Sequence, residues 1–267
     1  MERKKPHGIG GVLMHIFCYV TVAVSMLPQL YIIYVSFRNS KMGVFQEGYS
    51  LANYRSAIDK LLLRATKNTV VVGIVALAAI VILAVMISYL VVRRPNTLNH
   101  ATDTISMLPY IMPGSVIAIA LVIGFGKKPL VLTGTLTIMI MAVIIRRLPY
   151  TTRSATATLI QIPMSIEEAA ISLGASKMKT FFKVTVPMMS SGIISGAILS
   201  WVSIVTEVSS AAILYNNRSI TLTVGTYTAV NRGNLGEAAA FAAVTTVLTA
   251  ISLVIYLIIN KGKQMEL

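Results

Sequence analysis

Apolar residues run from Val12 to Phe37 almost without a polar interruption, and similar runs recur over about 68–92, 104–125, 130–145, 188–215 and 235–259. Most are long enough to cross a bilayer as one helix, which needs about 20 predominantly apolar residues. The pattern predicts an all-α integral membrane protein of six transmembrane helices, forming one membrane domain over residues 1–267. Polar stretches punctuate the runs. Arg93-Arg94-Pro95-Asn96 stops the second, and Gly126-Lys127-Lys128-Pro129 reads as a tight turn after the third. Arg146, Arg147 and Arg153 mark the end of the fourth, and residues 216–233 have room for a short re-entrant helix. Asn234 with Glu237 is an N-cap and N3 pair opening the sixth run. Inside the third run, Pro109 and Pro113 remove two backbone donors and must kink or interrupt the helix. Such a bend serves either a transport pathway or packing.

The most informative polar stretch is Ser165 to Pro187, set between two strongly apolar runs. Ser165 followed by Glu168 reads as a capping box that starts a helix. Ile166, Ala169, Ala170 and Leu173 then recur at helical spacing as one narrow apolar stripe. Gly174 stands where a left-handed residue would end that helix. A second short helix can begin at Ser176. Its Met178, Phe181, Phe182 and Thr185 repeat the spacing, with Lys177, Lys179 and Lys183 on other faces, and Pro187 fits the first turn of the next helix. Two apolar stripes exposed between membrane spans call for a groove on a soluble protein. The alternative is an amphipathic helix lying on the bilayer surface.

This stretch resembles the EAA loop of permease subunits of binding-protein-dependent ABC importers, whose pattern is Glu-Ala-Ala, three residues, Gly, nine residues, Ile-x-Leu-Pro. The match runs Glu168, Ala169, Ala170, Gly174, Val184, Val186, Pro187, with Val at the two aliphatic positions. The likeness extends over about 68–261. It implies a fold like the type I importer permeases and a coupling surface built from Ser165, Glu168, Ala169, Ala170, Leu173, Gly174, Met178, Phe181, Phe182 and Pro187. It also implies three partners: an ABC ATPase dimer, a second permease subunit and an extracytoplasmic binding protein. ATP and magnesium would belong to the ATPase, with no cofactor on this chain. Thr206-Glu207-Val208-Ser209-Ser210 and Val224-Gly225-Thr226-Tyr227-Thr228 look most like the iron(III) branch, with polyamine and phosphonate permeases close behind. The expected location is a bacterial inner or plasma membrane, multi-pass, with both termini cytoplasmic.

Composition agrees with a membrane protein: 55% of the 267 residues are hydrophobic, 12% are charged, and the mean hydropathy is +0.77. The formal charge of +14 would suggest nucleic acid in a soluble protein, but most basic residues lie between apolar runs, so nucleic acid is excluded. The positive-inside count is 13 basic residues inside against 10 outside, a contrast too small to orient the chain. Orientation rests on the short loops and the EAA resemblance. The outer segments oppose their basic residues with only Glu47, Asp59 and Glu237, which suits an acidic docking partner; lipid headgroups are the alternative. Cys18 reads as a small core residue and His15 as a partnered interior one. No Walker loop and no His or Cys cluster of metal spacing occurs, so the chain is not expected to be an enzyme, and ATP hydrolysis must come from another chain.

Along the fifth run, Gly192, Gly196, Ser200, Ser203, Glu207 and Ser210 fall on one helical stripe, a close-packing surface below and a polar one above. Ser200, Ser203, Glu207 and Ser210, with Pro109 and Pro113, are candidate translocation-pathway residues. Glu207, expected toward the outer half, either faces the pathway or is held by Thr206 or Ser210. An ion-driven secondary transporter or an intramembrane enzyme is the competing class, and would show inverted repeats or an acid–base pair.

Overall fold

The computed structural model describes residues 9–41 and 43–264, without the side chains of residues 9, 60 and 259–264. Arg3, Lys4 and Lys5, and the side chains of Lys60, Lys261 and Lys263, lie outside the described residues. Where the apolar runs are longest, the helices are longest: α1 (Ile9–Ser36), α3 (Leu62–Arg93) and α13 (Leu235–Gln264). These three are long and apolar enough to cross a membrane. α1 packs along α13 and has little other contact, which leaves both His15 and Cys18 exposed. The expectation of interior positions for them is thereby corrected: a helix touching the bundle along one edge turns most of its side chains outward, and His15 Nδ1 only meets the Gly11 carbonyl of its own helix.

The polar stretch after α1 is more ordered than its composition suggests. It forms an antiparallel hairpin, β1 (Arg38–Lys41) and β2 (Val44–Tyr49), followed by α2 (Ala52–Lys60). Buried Asn53 fastens the hairpin to α2 by donating to the Ser36 and Arg38 carbonyls and accepting from Ser40.

The prolines of the third run act as expected. Pro109 lies within α4 (Thr97–Ile111), Pro113 caps α5 (Gly114–Phe125), and the two helices meet at 109°. The fourth run differs. Helix α6 begins at Leu136 and continues to Gln161, so Arg146, Arg147 and Arg153 sit inside a helix and do not end one. Taking them out of the inside count erases its excess of basic residues. α3 and α6 pack along their lengths, joined by Val72, Ala76, Ile80 and Val143 and by buried hydrogen bonds of Ser88 with Thr152 and Thr156.

Beyond α6 come α7 (Met164–Ser172), α8 (Lys177–Thr180), a π-helical turn (Phe181–Thr185) and α9 (Val186–Met188), which bends by 65° into α10 (Ser190–Val205). Pro187 therefore sits at the end of the preceding helical segment, immediately before the bend, and does not open α10. The wide π-turn relieves the clash that a proline ring makes with the carbonyl four residues back, here that of Lys183. Then follow α11 (Ala211–Leu214) and α12 (Leu222–Asn231), the short helix expected between the last two runs. Asn234 accepts from the Glu237 backbone N–H and donates to its carboxylate, completing the cap of α13. If each bent pair is one span, five spans satisfy length and apolarity among the described residues. α6 fails that test because its second half is polar.

Candidate functional site

Helix α7 starts two residues earlier than its sequence suggests. Pro163 holds the N-cap position and there is no side-chain cap, so Ser165 and Glu168 form no capping box. With the helix begun at Met164, Ser165 and Glu168 face solvent, and the neighbouring Glu167 turns inward. Glu167 Oε1 accepts from Arg93 Nε at 2.7 Å, and its other oxygen accepts from the Tyr89 hydroxyl at 3.3 Å. Arg93 also donates to the Ile162 carbonyl at 2.8 Å, and both charged side chains are buried. The end of α3 thus grips the start of the segment 163–189. The doubled glutamate was the available signal, but which of the two turns inward depends on the exact helix start.

Gly174 ends α7 as expected, with φ +89°; Gly174 N–H donates to Ile171 and Ala175 N–H to Ala170, the paired bonds of a Schellman turn. Nothing lies within 4 Å of where its Cβ would project, so substitution there acts through the backbone alone. Gly174→Asn is expected to keep uptake within a few-fold of normal, because Asn tolerates left-handed backbone. Gly174→Val is expected to abolish it at normal membrane abundance. Uptake by the two variants, normalised to chain abundance, checks this; equal activities would refute it.

Ser176 caps α8 by accepting from the Lys179 N–H. The two apolar stripes split by direction. Ile166 packs on the cluster of Ala155, Leu159, Ile162 and Met189, Thr185 is buried, and Phe181 stacks edge-on against Tyr89 at 4.8 Å. Leu173, 90% exposed, faces out together with Met178, Phe182 and Ala169, and Lys177, Lys179 and Lys183 are exposed as well. Phe182→Ala should therefore weaken ATPase association by about 2 kcal/mol or more without harming the chain, whereas Phe181→Ala should loosen the segment from α3. Affinity of the purified chain for its ATPase, measured alongside chain yield, separates the two.

A second centre lies where three irregular places meet. Helix α10 ends at Val205, so the stripe read through Ser210 is helical only below that point; Glu207 and Ser210 lie in the turn leading to α11. The lower part is a packing surface: Gly192 and Gly196 let α10 approach Ser154, Thr151 and Thr158 of α6, and buried Ser200 bonds Thr151 and the Arg147 carbonyl. Ser200 is thus buried between α6 and α10. Ser203 is half-buried and Pro113 exposed, while Pro109 is half-buried.

Glu207, with its side chain 3% exposed, accepts from Arg146 Nη1 at 2.6 Å and from Arg147 Nη2, so the carboxylate and the arginines read as a cytoplasmic boundary share one depth. Its other oxygen accepts from Ser209, from Ser210 Oγ and from the Ser210 N–H, each within 3.0 Å. The structure supplies both arginines and serines as partners, and none of them is Thr206, whose hydroxyl donates to Val202. Gly114 at the α4–α5 break presses so closely on Ser209 and the Arg146 guanidinium that a Cβ would overlap both. Thr223 at the start of α12 donates to the Glu207 carbonyl at 2.6 Å. Glu207 and Ser210 also line a small cavity of about 10 Å³, room for about one water. Among the described residues, no group of three His, Cys, Asp or Glu is placed to hold a metal ion.

Comparison with known proteins identifies the relatives of this arrangement. Residues 80–263 match the family "Binding-protein-dependent transport system inner membrane component". The ferric transport system permease protein FbpB of Actinobacillus pleuropneumoniae is 28% identical over 181 residues, 68% of this chain. This chain spans about a quarter of that relative's length, 26%. The putative 2-aminoethylphosphonate transport system permease protein PhnV of Salmonella paratyphi A is 24% identical over 247 residues, covering 92% of this chain and 89% of its own. Among solved structures, a chain of a bacterial alginate ABC transporter, in complex with an alginate pentasaccharide-bound periplasmic protein, superposes with a TM-score of 0.66 at 17% identity over 92% of each chain. The helical architecture with its exposed segment between α6 and α10 is that of type I ABC importer permeases, and the chain belongs to the binding-protein-dependent transport system inner membrane component family.

Proposed function

We propose that this chain is one membrane-spanning subunit of an ATP-driven importer, paired with a second permease subunit, served by an extracytoplasmic binding protein and driven by an ABC ATPase dimer that carries the ATP and magnesium. The observation that supports this most is the segment 163–189: it is gripped to α3 by Arg93, Tyr89 and Glu167, yet turns Leu173, Met178 and Phe182 outward among exposed lysines. Exposed apolar residues interspersed with lysines fit a partner groove that is apolar within and acidic at its edge. The reading places six spans in a bacterial inner membrane with both termini and this segment on the cytoplasmic side, the hairpin and α2 on the outer side, and residues 1–267 as one permease domain.

For the cargo, iron(III) delivered by the binding protein is favoured by the ferric relative. A second reading, import of an anion such as a phosphonate, is favoured by the full-length phosphonate relative and by a buried centre in which two arginines meet one carboxylate. Glu207 is committed to those arginines and is poorly disposed to ligate a ferric ion. Reconstitution with the ATPase and binding protein, measuring ATP-dependent uptake of ferric iron and of 2-aminoethylphosphonate, tests both cargoes. If the chain retains no ATPase through purification and supports no ATP-dependent uptake, the importer reading fails and an ion-driven transporter takes its place.

A further inference from the structure

We infer that Arg146 and Arg147 form an oxyanion site for which Glu207 is the resident counter-ion, displaced when a phosphonate-, phosphate- or oxometallate-like group arrives. The inference deepens the importer reading by naming the chemistry that the membrane interior of this chain recognises.

Two guanidinium groups against one carboxylate leave one excess positive charge at a depth where α3, α6 and α10 pack. Among the described residues, Glu207 is the only acid in an ion pair with either arginine, and Asp103 is paired with Arg153 at 3.3 Å. An unbalanced charge away from water is costly and calls for a partner. The guanidinium donors are far from used up: Arg146 gives its bonds to Glu207 and Ser209 through Nη1, and Arg147 gives Glu207 only Nη2. Arg147 Nε is buried with no hydrogen-bond partner. Both arginines nevertheless keep about a seventh of their side-chain surface accessible, 14% and 15%, where Glu207 keeps 3%. The two arginines are therefore more accessible than the carboxylate they hold.

The Arg147 guanidinium lies over the ring of Tyr150, 5.9 Å from its centroid, and that ring meets Tyr110 of α4 edge-on at 5.6 Å. α5, of 12 residues, begins at Gly114 against Arg146, and α12, of 10, begins beside the Glu207 carbonyl, so two helix starts add their partial positive charge to the same place. Paired planar forks of this kind suit a tetrahedral oxyanion, which accepts several charge-assisted bonds at once. A hydrated cation meets only repulsion.

The test uses the full chain in nanodiscs and equilibrium binding of radiolabelled orthophosphate, with sulfate, molybdate and ferric citrate as competitors. Glu207→Gln removes the competing charge while preserving the side-chain shape and the hydrogen bonds from Ser209 and Ser210, and is expected to tighten phosphate binding about tenfold; Arg147→Gln is expected to weaken it by about the same factor. Arg147→Lys, keeping the charge without the fork, should fall between. If phosphate binds Glu207→Gln no more tightly than the unaltered chain, or if neither sulfate nor molybdate competes, the site is not an oxyanion site. Loss of folded chain in Glu207→Gln transfers the decision to the two Arg147 variants, whose binding must then fall in the order given. ATP-dependent uptake in reconstituted vesicles fails or succeeds independently of these affinities, so failure of the importer reading is distinguishable from failure of this one.

Discussion

Glu167→Ala is expected to abolish coupled uptake while leaving the chain in the membrane and the ATPase able to bind. The substitution leaves the Arg93 guanidinium buried at the end of α3 with only the Ile162 carbonyl, and removes the acceptor of the Tyr89 hydroxyl. Stranding one partner of a buried pair costs about 3–5 kcal/mol. The strain falls on the junction that fixes where α7 projects, because Glu167 lies in the first turn of α7 and ties it to α3. The edge-on stack of Phe181 on Tyr89 remains and keeps the second half of the segment near α3. ATP hydrolysis continuing with little uptake, measured together in vesicles, is the expected signature. The exposed neighbour provides the contrast: Glu168→Ala should weaken ATPase association and leave the segment in place. The double variant Arg93→Met with Glu167→Met replaces the ion pair by an apolar contact of similar volume and should recover much of the uptake. Normal coupling in Glu167→Ala, or no recovery in the double variant at normal abundance, would show that the pair does not position the coupling segment.

The second large effect falls on folding. Glu207→Ala leaves two guanidinium groups at the junction of α6, α10 and α11 without their carboxylate, and strips Ser209, Ser210 and the Ser210 N–H of their acceptor. An uncompensated buried charge costs about 3–5 kcal/mol, comparable with the whole stability of a domain, about 5–15 kcal/mol. The yield of folded chain after detergent extraction should fall severalfold or more. Adding Arg147→Leu removes one stranded cation and should restore part of that yield, whereas adding Arg153→Leu, which belongs to the separate pair with Asp103, should not. Equal yields across the three chains would mean that the centre carries little stability.

Much of this protein is legible in its sequence. The apolar runs determine the long helices, because a helix in lipid must satisfy its own backbone and expose only apolar side chains. Gly174 and Pro113 punctuate the chain where they stand, since a left-handed turn and a missing N–H are local facts that no distant contact can change. Which members of the two apolar stripes in 163–189 face outward is not local: Ile166 and Phe181 are drawn inward by the cluster at Met189 and by Tyr89, while Leu173, Met178 and Phe182 stay out. The tertiary structure decided which neighbour each charge meets. Glu207 and the pair Arg146 and Arg147 are some sixty residues apart along the chain; in the sequence the arginines look like a membrane boundary, and only the packing of α6 against α10 brings them to the carboxylate. The choice of Glu167 over Glu168 is of the same kind: beginning α7 at Met164 turns Glu167 inward by a fraction of a helical turn, and a buried arginine at the end of α3 holds it there. Periodicity fixes which residues share a face, but the partner of a buried charge is set by whichever distant residue the fold delivers.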